Sequence, residues 1–276
     1  MKSHALNSGQ DRSAGKEASS AVVDILGLQV QSHTYESLNE AIGQSIHCGG
    51  HDIVPNVNVF FANLSWRRPW LRDLFNSSPI NFCDGAGIQL AARILGDRIA
   101  VRITYGDWFA SLAEFCRRRK FRLYFLGGRP GVAAEASRRV TSSYPGLVIA
   151  GTHHGYFDKS RQSAENTEVV ADINRCRPEI LLVALGMPLQ EEWLAQNWHQ
   201  LDAGVALTGG AILDYLSGSM RRPPAWLCGC GMEWLGRLLI EPRRLWKRYL
   251  LGNPLFLMRI LRQRLQRGRL SCKGPT

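Results

Sequence analysis

Short runs of apolar and β-branched residues alternate along this chain with longer segments whose apolar positions recur every three or four residues. The runs Val22–Leu26, Val57–Ala62, Ile80–Cys83, Arg122–Leu126, Leu147–Ala150, Ile180–Leu185 and Val205–Leu207 predict strands. The periodic segments Tyr35–His47, Ala86–Leu95, Asp107–Arg119, Val132–Ser143, Arg161–Cys176, Gln190–Gln200 and Ile212–Leu216 predict helices. Such alternation is the signature of βαβ units. The expected fold class is therefore α/β, a mainly parallel, Rossmann-like sheet flanked by helices. The stretch Ile180-Leu181-Leu182-Val183-Ala184-Leu185 is apolar throughout rather than alternating, as a strand covered on both faces would be.

Beyond Arg221-Arg222-Pro223-Pro224 the pattern turns into Trp- and Arg-rich helix: Glu233–Glu241, Arg243–Leu251, and a last helix from Leu255 to about Leu265. Pro242 and Pro254 suit breaks or first helical turns. Leu245, Trp246, Tyr249 and Leu250 fall on one face between Arg243, Arg244, Lys247 and Arg248, and Leu257, Met258, Leu261 and Leu265 repeat the arrangement. Helices of this kind either pack on the body with solvated charges or lie in an anionic bilayer interface. Residues 1–20, polar and rich in Ser, Ala and Gly, read as a disordered leader. The expected organisation is that leader, an α/β body over 21–220 and a basic helical C-terminal appendage over 221–276.

Charge sharpens this division. The 276 residues hold 34 Lys+Arg and 23 Asp+Glu, a formal net charge of +11. From Arg221 onward there are 13 basic and 2 acidic residues, so the whole excess sits in the appendage. A neutral body argues against nucleic acid as partner of the main surface, and the tail points to something anionic, such as a membrane surface. Seven scattered cysteines lack the paired CxxC spacing of structural zinc; Cys228-Gly229-Cys230 is the one fragment suggestive of redox or metal chemistry. With no apolar run long enough to span a bilayer, the expectation is a cytoplasmic protein, peripheral on the inner face of the membrane.

In a parallel sheet, ligands bind outside the C-terminal strand ends. The residues expected there are Asn63, Asp84-Gly85, Gly127-Gly128-Arg129, His153-His154, Gly186 and Gly209-Gly210. Glycines at several strand-to-helix turns allow close backbone approach to a phosphate or nucleotide, although glycine also simply makes tight turns. Neither GxxxxGK[ST] nor a GxGxxG after the first strand is present, and no Asp-x-Asp, so charge on a departing diphosphate would fall to Arg and helix N-termini rather than a metal. Asp84 is either a helix cap or a general base. Arg102 is either a phosphate clamp or a surface charge. Thr104 and Asp107 stand at the next helix start, and Gln190 is either a first-turn residue or a donor to ligand. The histidine pair reads better as structural than as ligand.

Taken in order, Asp84-Gly85-x-Gly87, Leu126-Gly127-Gly128-Arg129-Pro130-Gly131-Val132, Gly151-Thr152-His153-His154-Gly155-Tyr156-Phe157, Leu185-Gly186-Met187-Pro188-Leu189-Gln190-Glu191, Gly209-Gly210-Ala211 and Glu233-Trp234-Leu235 with Glu241-Pro242-Arg243-Arg244 resemble the WecG/TagA/CpsF family of bacterial glycosyltransferases. The resemblance runs from about Val23 to Leu261. It implies an inverting transferase that moves a sugar from a UDP-sugar to a polyprenyl-diphosphate-linked glycan, with no cofactor and no catalytic metal. It further implies Asp84 as base, with Arg102 and Gln190 as catalytic partners. Asn63, Gly85, Thr104, Gly127, Gly128, Arg129, Gly186, Gly209 and Gly210 would bind donor or acceptor. Arg243, Arg244, Trp246, Lys247 and Arg248 would contact membrane, in an appendage that helps complete the site. Where many members have Thr-x-Asn after the second strand, this chain reads Phe61-Ala62-Asn63, which suggests an altered sugar pocket. A nicotinamide oxidoreductase and a non-enzymatic anionic-surface adaptor are the rival readings. The sequence leaves monomer and homo-oligomer both open.

Overall fold

A computed structural model describes residues 21–222, Leu227 and 232–271, without the side chains of Arg244 and residues 269–271. The leader read over 1–20, the Cys228-Gly229-Cys230 fragment and Cys272 lie outside the described residues. The chain begins with a hairpin, β1 (Val22–Ile25) and β2 (Leu28–Gln31), that turns at Leu26 and Gly27, both with positive φ. Helix α1 (Tyr35–His47) starts on a reciprocal capping box between Thr34 and Ser37. Strands β3 (Asp52–Val54) and β4 (Asn56–Val57) are one extended segment interrupted at Pro55, which has no N–H for a ladder. There the segment stops pairing with its neighbour in the main sheet and begins pairing with β5 (Phe82–Cys83), whose Phe82 N–H donates to the Pro55 carbonyl at 3.3 Å.

Between β4 and β5 run α2 (Val59–Arg67) and α3 (Pro69–Ser77), and then follow α4 (Ala86–Leu95) and α5 (Tyr105–Arg119). The rest of the body is regular: β6 (Arg122–Gly127), α6 (Val132–Ser143), β7 (Val148–His153), α7 (Ala164–Cys176), β8 (Ile180–Ala184), α8 (Leu189–Asn197), β9 (Val205–Thr208) and α9 (Ile212–Leu216). The five main strands are all parallel, in the order β3-β9-β8-β6-β7. Alternate residues of the central strands feed two separate cores. Leu123, Phe125, Leu182 and Leu207 pack with Leu38, Ile42, Trp108 and Leu112, while Tyr124, Leu126, Leu181, Val183 and Ala206 pack with Val169, Ile173, Trp193 and Leu194. Every residue of β8 and β9 is buried, as the unbroken apolar runs predict.

The appendage consists of α10 (Glu233–Ile240), α11 (Pro242–Trp246), one π-helical turn (Lys247–Leu251) and α12 (Gly252–Ser271). Pro242 takes the first helical position and Pro254 falls in the first turn of α12, where the missing N–H costs little. Helix α12 lies back across the body: Phe256 and Ile260 are buried in a third core with the hairpin, α2, α3 and α4. Burying two such side chains contributes about 1.5–3 kcal/mol each. Polar ties reinforce the contact, with Gln263 Nε2 donating to Asp24 Oδ1, Arg264 Nη1 to the Leu95 carbonyl and Arg267 Nη1 to Asp97 Oδ2.

The structure corrects the predicted strand Val57–Ala62. The strand ends at Val57, and Asn58 caps a helix there, its side-chain oxygen accepting from the N–H groups of Phe60 and Phe61. A short apolar run does not by itself distinguish a strand from a buried helix, and the cap at Asn58 is the deciding signal. Strands β2 and β3 and helix α3 escaped the sequence pattern. The final helix also begins three residues earlier and ends later than predicted.

Candidate active site

In the main sheet the chain steps outward from β6 to β7 and then returns past β6 to β8, so the topological switch point lies between β6 and β8. The turns beyond those strands supply the glycine rim. Gly127, Gly128, Gly186 and Gly210 all have positive φ. A Cβ on Gly127 would stand 2.3 Å from the Ala184 carbonyl oxygen, so that glycine is required by strand packing. At Gly186 and Gly210 a Cβ would meet nothing within 4 Å, so these backbones face open space. Arg129 is exposed at the rim, Gly209 is buried beneath it, and the Gly155 N–H donates to the Gly128 carbonyl at 2.8 Å. His153 donates from Nδ1 to the His154 carbonyl at 2.8 Å and packs edge-on against Phe157, which suits the structural reading.

Next to this rim, a cleft of about 1070 Å³ opens between α2, α4 and the appendage. The N-termini of α2 and α4 meet at its floor. A Cβ on Gly85 would come within 3.2 Å of Asn58 Cβ, and one on Gly87 within 2.4 Å of a Val59 methyl, so glycine permits this approach. No side chain caps the start of α4, which leaves its first N–H groups available to an anion. The cleft and the rim touch where Asn58 Nδ2 approaches Met187 Sδ at 3.8 Å.

Asp84 stands on the cleft floor, its own N–H bonded to the Val57 carbonyl at 2.9 Å. Burial pushes its carboxyl up to about 7, and the Glu233 charge pushes the same way, while Arg237, the Asn58 amide and Arg248 pull against them. A carboxyl that titrates near neutrality is half-ionised at working pH and still basic enough to take a proton. Two of its opposing charges, Glu233 and Arg237, come from the appendage helix α10. Arg237 is half-buried beside the Tyr215 ring, 5.9 Å from guanidinium to centroid, and its buried Nε has no hydrogen-bond partner among the described residues.

Arg102 and Thr104 line the same cleft. Arg102 is largely buried and lies 3.7 Å from Asp107, which also holds Arg222 at 2.7 Å and accepts from the Thr104 hydroxyl at 2.7 Å. Burial opposes ionisation of Asp107, but the Thr104 hydrogen bond and the Arg222 and Arg102 charges hold its carboxyl below the usual range. Asp107 thus orients Arg102 toward the cleft rather than acting as a simple cap.

Other predicted residues lie elsewhere. Gln190 is fully buried: its Oε1 accepts from the Gly210 N–H at 3.0 Å and its Nε2 donates to Glu191 Oε1 at 2.8 Å, which braces the β9–α9 turn against α8. Asn63 points away from the cleft, because it lies within α2 rather than at a strand end. It ties α2 to α12, donating to the Gly252 carbonyl at 2.8 Å and accepting from Arg259 Nη1 at 2.7 Å. Phe61 is a core residue packed on Phe75 and not a pocket wall. The tripeptide at the strand end is Asn56-Val57-Asn58, so Phe61-Ala62-Asn63 does not stand at a strand end. Arg248 faces the cleft, its guanidinium 4.3 Å above the Phe60 ring, rather than the outer face of the appendage. Leu245 and Tyr249 are buried, whereas Arg243, Trp246, Lys247 and Leu250 are exposed, so the expected apolar stripe is split between the body and solvent. The side chain of Arg244 lies outside the described residues.

Sequence reasoning missed Asn58, Glu233, Arg237 and Glu191. Asn58 was detectable as a helix cap, but Glu233 and Arg237 are known as site residues only once the appendage is folded back. Glu191 is buried with its carboxyl raised to about 7 by burial, and its Oε2 has no hydrogen-bond partner. Among the described residues no group of three or more His, Cys, Asp or Glu is placed to hold a metal ion, and no helix is long and apolar enough to cross a membrane.

The chain is similar to an N-acetylglucosaminyldiphosphoundecaprenol N-acetyl-beta-D-mannosaminyltransferase of Bacillus subtilis (strain 168), with 30% identity over 75% of this chain and 77% of the relative. The protein of the same name from Bacillus spizizenii is 31% identical over 78% and 79%. That of Staphylococcus aureus (strain NCTC 8325 / PS 47) is 25% identical over 89% and 94%. The family model described as Glycosyl transferase WecG/TagA/CpsF family matches residues 23–270, nearly the whole of the α/β body and the appendage packed on it. With this sheet, this rim and this cleft, the chain is a glycosyltransferase and belongs to the WecG/TagA/CpsF family.

Proposed function

We propose that the protein transfers a sugar from a UDP-sugar to a polyprenyl-diphosphate-linked glycan by a single inverting displacement in which Asp84 is the general base. The ionised Asp84 takes the proton of the acceptor hydroxyl as its oxygen attacks the anomeric carbon. The bond from that carbon to the diphosphate breaks, and UDP departs with the electron pair. An α-linked donor then gives a β-linked product. The observation that carries this reading is the position of Asp84 on the floor of a cleft also lined by Arg93, Arg102, Arg237, Arg248 and Glu233, where burial pushes its carboxyl up to about 7.

The uncapped start of α4 and the guanidinium groups of Arg102, Arg237 and Arg248 supply positive potential where the departing diphosphate develops charge, a task otherwise given to a metal. We assign the nucleotide to the rim at the switch point, around Gly128, Gly186 and Gly210, with its sugar reaching past Asn58 to Asp84. Gln190 then acts by holding the Gly210 turn, not by touching the substrate. The relatives' names make UDP-N-acetylmannosamine the first donor to test and N-acetylglucosaminyl-diphosphoundecaprenol the first acceptor. Release of UDP from a panel of UDP-sugars, with and without that acceptor, tests the reading: acceptor-dependent release from one donor supports it, and no release from any donor contradicts it.

For its seat we propose the inner face of the membrane. The exposed Trp246, Leu250, Leu251, Met258, Leu261 and Leu265 form an apolar ridge along the appendage, beside the exposed Arg243 and Lys247. Apolar and cationic groups together are what an anionic bilayer surface retains.

A further inference from the structure

The cleft is larger than a sugar and a diphosphate require, at about 1070 Å³, and its two ends differ in character. At the floor are Asp84, Arg102, Glu233, Arg237 and Arg248. Along α4 the wall then becomes Leu90 and Ile94, with the exposed Arg93 between them in the chain, faced by Leu250, Leu257 and Ile260 from the appendage. Gln89 lies among them, but its amide is committed to the Ile99 carbonyl at 3.2 Å. From Gly85 to Ile94 the helix advances about 13 Å at ~1.5 Å per residue. The apolar end is not closed: Leu90, Leu250 and Leu257 line the cleft and are also 52%, 55% and 41% exposed. Leu257 adjoins Met258 and lies one turn from Leu261, so the cleft wall passes without interruption into the exposed apolar ridge.

Resting on the acceptor class proposed above, we propose that this apolar end, walled by Leu90, Ile94, Leu250 and Leu257, holds the first isoprene units of the polyprenyl diphosphate acceptor. Charge fixes the direction. The diphosphate fits the end where Arg102, Arg237 and Arg248 converge, and a hydrocarbon chain leaving it along the cleft meets mainly leucine and isoleucine, past the single exposed guanidinium of Arg93, until it reaches the ridge. The acceptor therefore enters from the side, with its lipid sliding off the membrane surface into the cleft while its sugar hydroxyl reaches Asp84. An apolar wall of this kind discriminates by chain, not by headgroup.

The test compares kcat/KM for two soluble acceptors in membrane-free buffer, N-acetylglucosaminyl diphosphate esterified to a farnesyl chain or to a methyl group. The native protein should prefer the farnesyl ester by at least tenfold. Leu90→Gln and Leu257→Gln, both at exposed positions, should each cut that preference about tenfold, equivalent to ~1.4 kcal/mol. Leu265→Gln, on the ridge outside the cleft, should leave the ratio where it was. A change that merely loosens the fold lowers both rates and spares the ratio. Equal use of the two esters by the native protein, or an unchanged ratio in Leu90→Gln and Leu257→Gln, overturns the prenyl seat. An equal fall in Leu265→Gln assigns the effect to the ridge and also overturns it. Transfer to neither ester is a different failure, that of the acceptor class itself.

Discussion

Glu233 and Asp84 are two carboxylates of one cleft, one supplied by the first helix of the appendage and the other by the end of β5, and the charge of Glu233 raises the affinity of Asp84 for its proton. On the proposed mechanism the body carries the base, burial does most to raise its carboxyl, and charges of the appendage adjust it. The appendage packed on the body lines the same cleft as Asp84.

This coupling predicts a pH profile. The proposed mechanism requires ionised Asp84, so kcat/KM should rise with pH through an apparent pKa near 7. Removing the negative neighbour with Glu233→Gln should move that limb to lower pH, and removing the positive one with Arg237→Gln should move it to higher pH. Shifts of opposite sign in the two variants are the expected result. A profile that ignores both would detach the appendage from the base.

The glycines of the rim should separate by function. Gly127→Ala places a Cβ against the Ala184 carbonyl at positive φ and should compromise folding itself, seen as a large fall in Tm. Gly186→Ala and Gly210→Ala meet no neighbour and carry only the strain of a left-handed backbone, about 1–2 kcal/mol each. Their main effect should be a raised KM for the UDP-sugar, measured in steady-state assays on folded protein.

Asn63→Ala removes two hydrogen bonds that join α2 to α12, at 2.8 Å and 2.7 Å, and leaves the Arg259 guanidinium, among the described residues, to the Trp66 face 4.9 Å away. A loss of about 1–3 kcal/mol at that seam is expected. Limited proteolysis should then cleave the appendage faster than in the native protein, with kcat falling as the site opens.

The pattern of residues made most of the body legible. Helices Tyr35–His47, Ala86–Leu95 and Val132–Ser143 stand where the periodicity places them, because each buries one apolar stripe against the sheet. The region from Val57 to Ser77 was not legible. Its apolar run packs a hairpin-side core through helices, and one cap residue, Asn58, decides the matter. Of the candidate site residues, Asp84, Arg102 and Thr104 line one cleft, a placement legible from Asp84 following a strand and Thr104 opening a helix. The placement of Glu233, Arg237 and Arg248 was not, since nothing local in an Arg-rich helix says which arginines turn inward. That choice is made by the docking of Phe256 and Ile260 some distance along the chain.

The exposed ridge predicts salt-dependent adsorption to anionic vesicles. Trp246→Ser combined with Leu250→Ser should weaken sedimentation with phosphatidylglycerol vesicles, and Lys247→Ser should flatten its salt dependence. Native-like binding by all of these variants would remove the ridge from the interface.

Asp84 also carries a stability signature. In the folded protein it titrates near 7, against about 4 in an unfolded chain. The native state therefore holds that proton more tightly, and its stability declines as pH rises from about 4 to about 7. Asp84→Asn escapes that decline and should be more stable than the native protein at pH 8, by roughly 2–4 kcal/mol, with the difference vanishing toward pH 4. The most direct measurement combines this with catalysis: at pH 8, transfer from the donor that the UDP-sugar panel selects to N-acetylglucosaminyl-diphosphoundecaprenol, by native protein and by Asp84→Asn, with Tm recorded on both. The account predicts a fall of about 10²–10⁴-fold in kcat with an undiminished Tm. Turnover by Asp84→Asn at the native rate would contradict it.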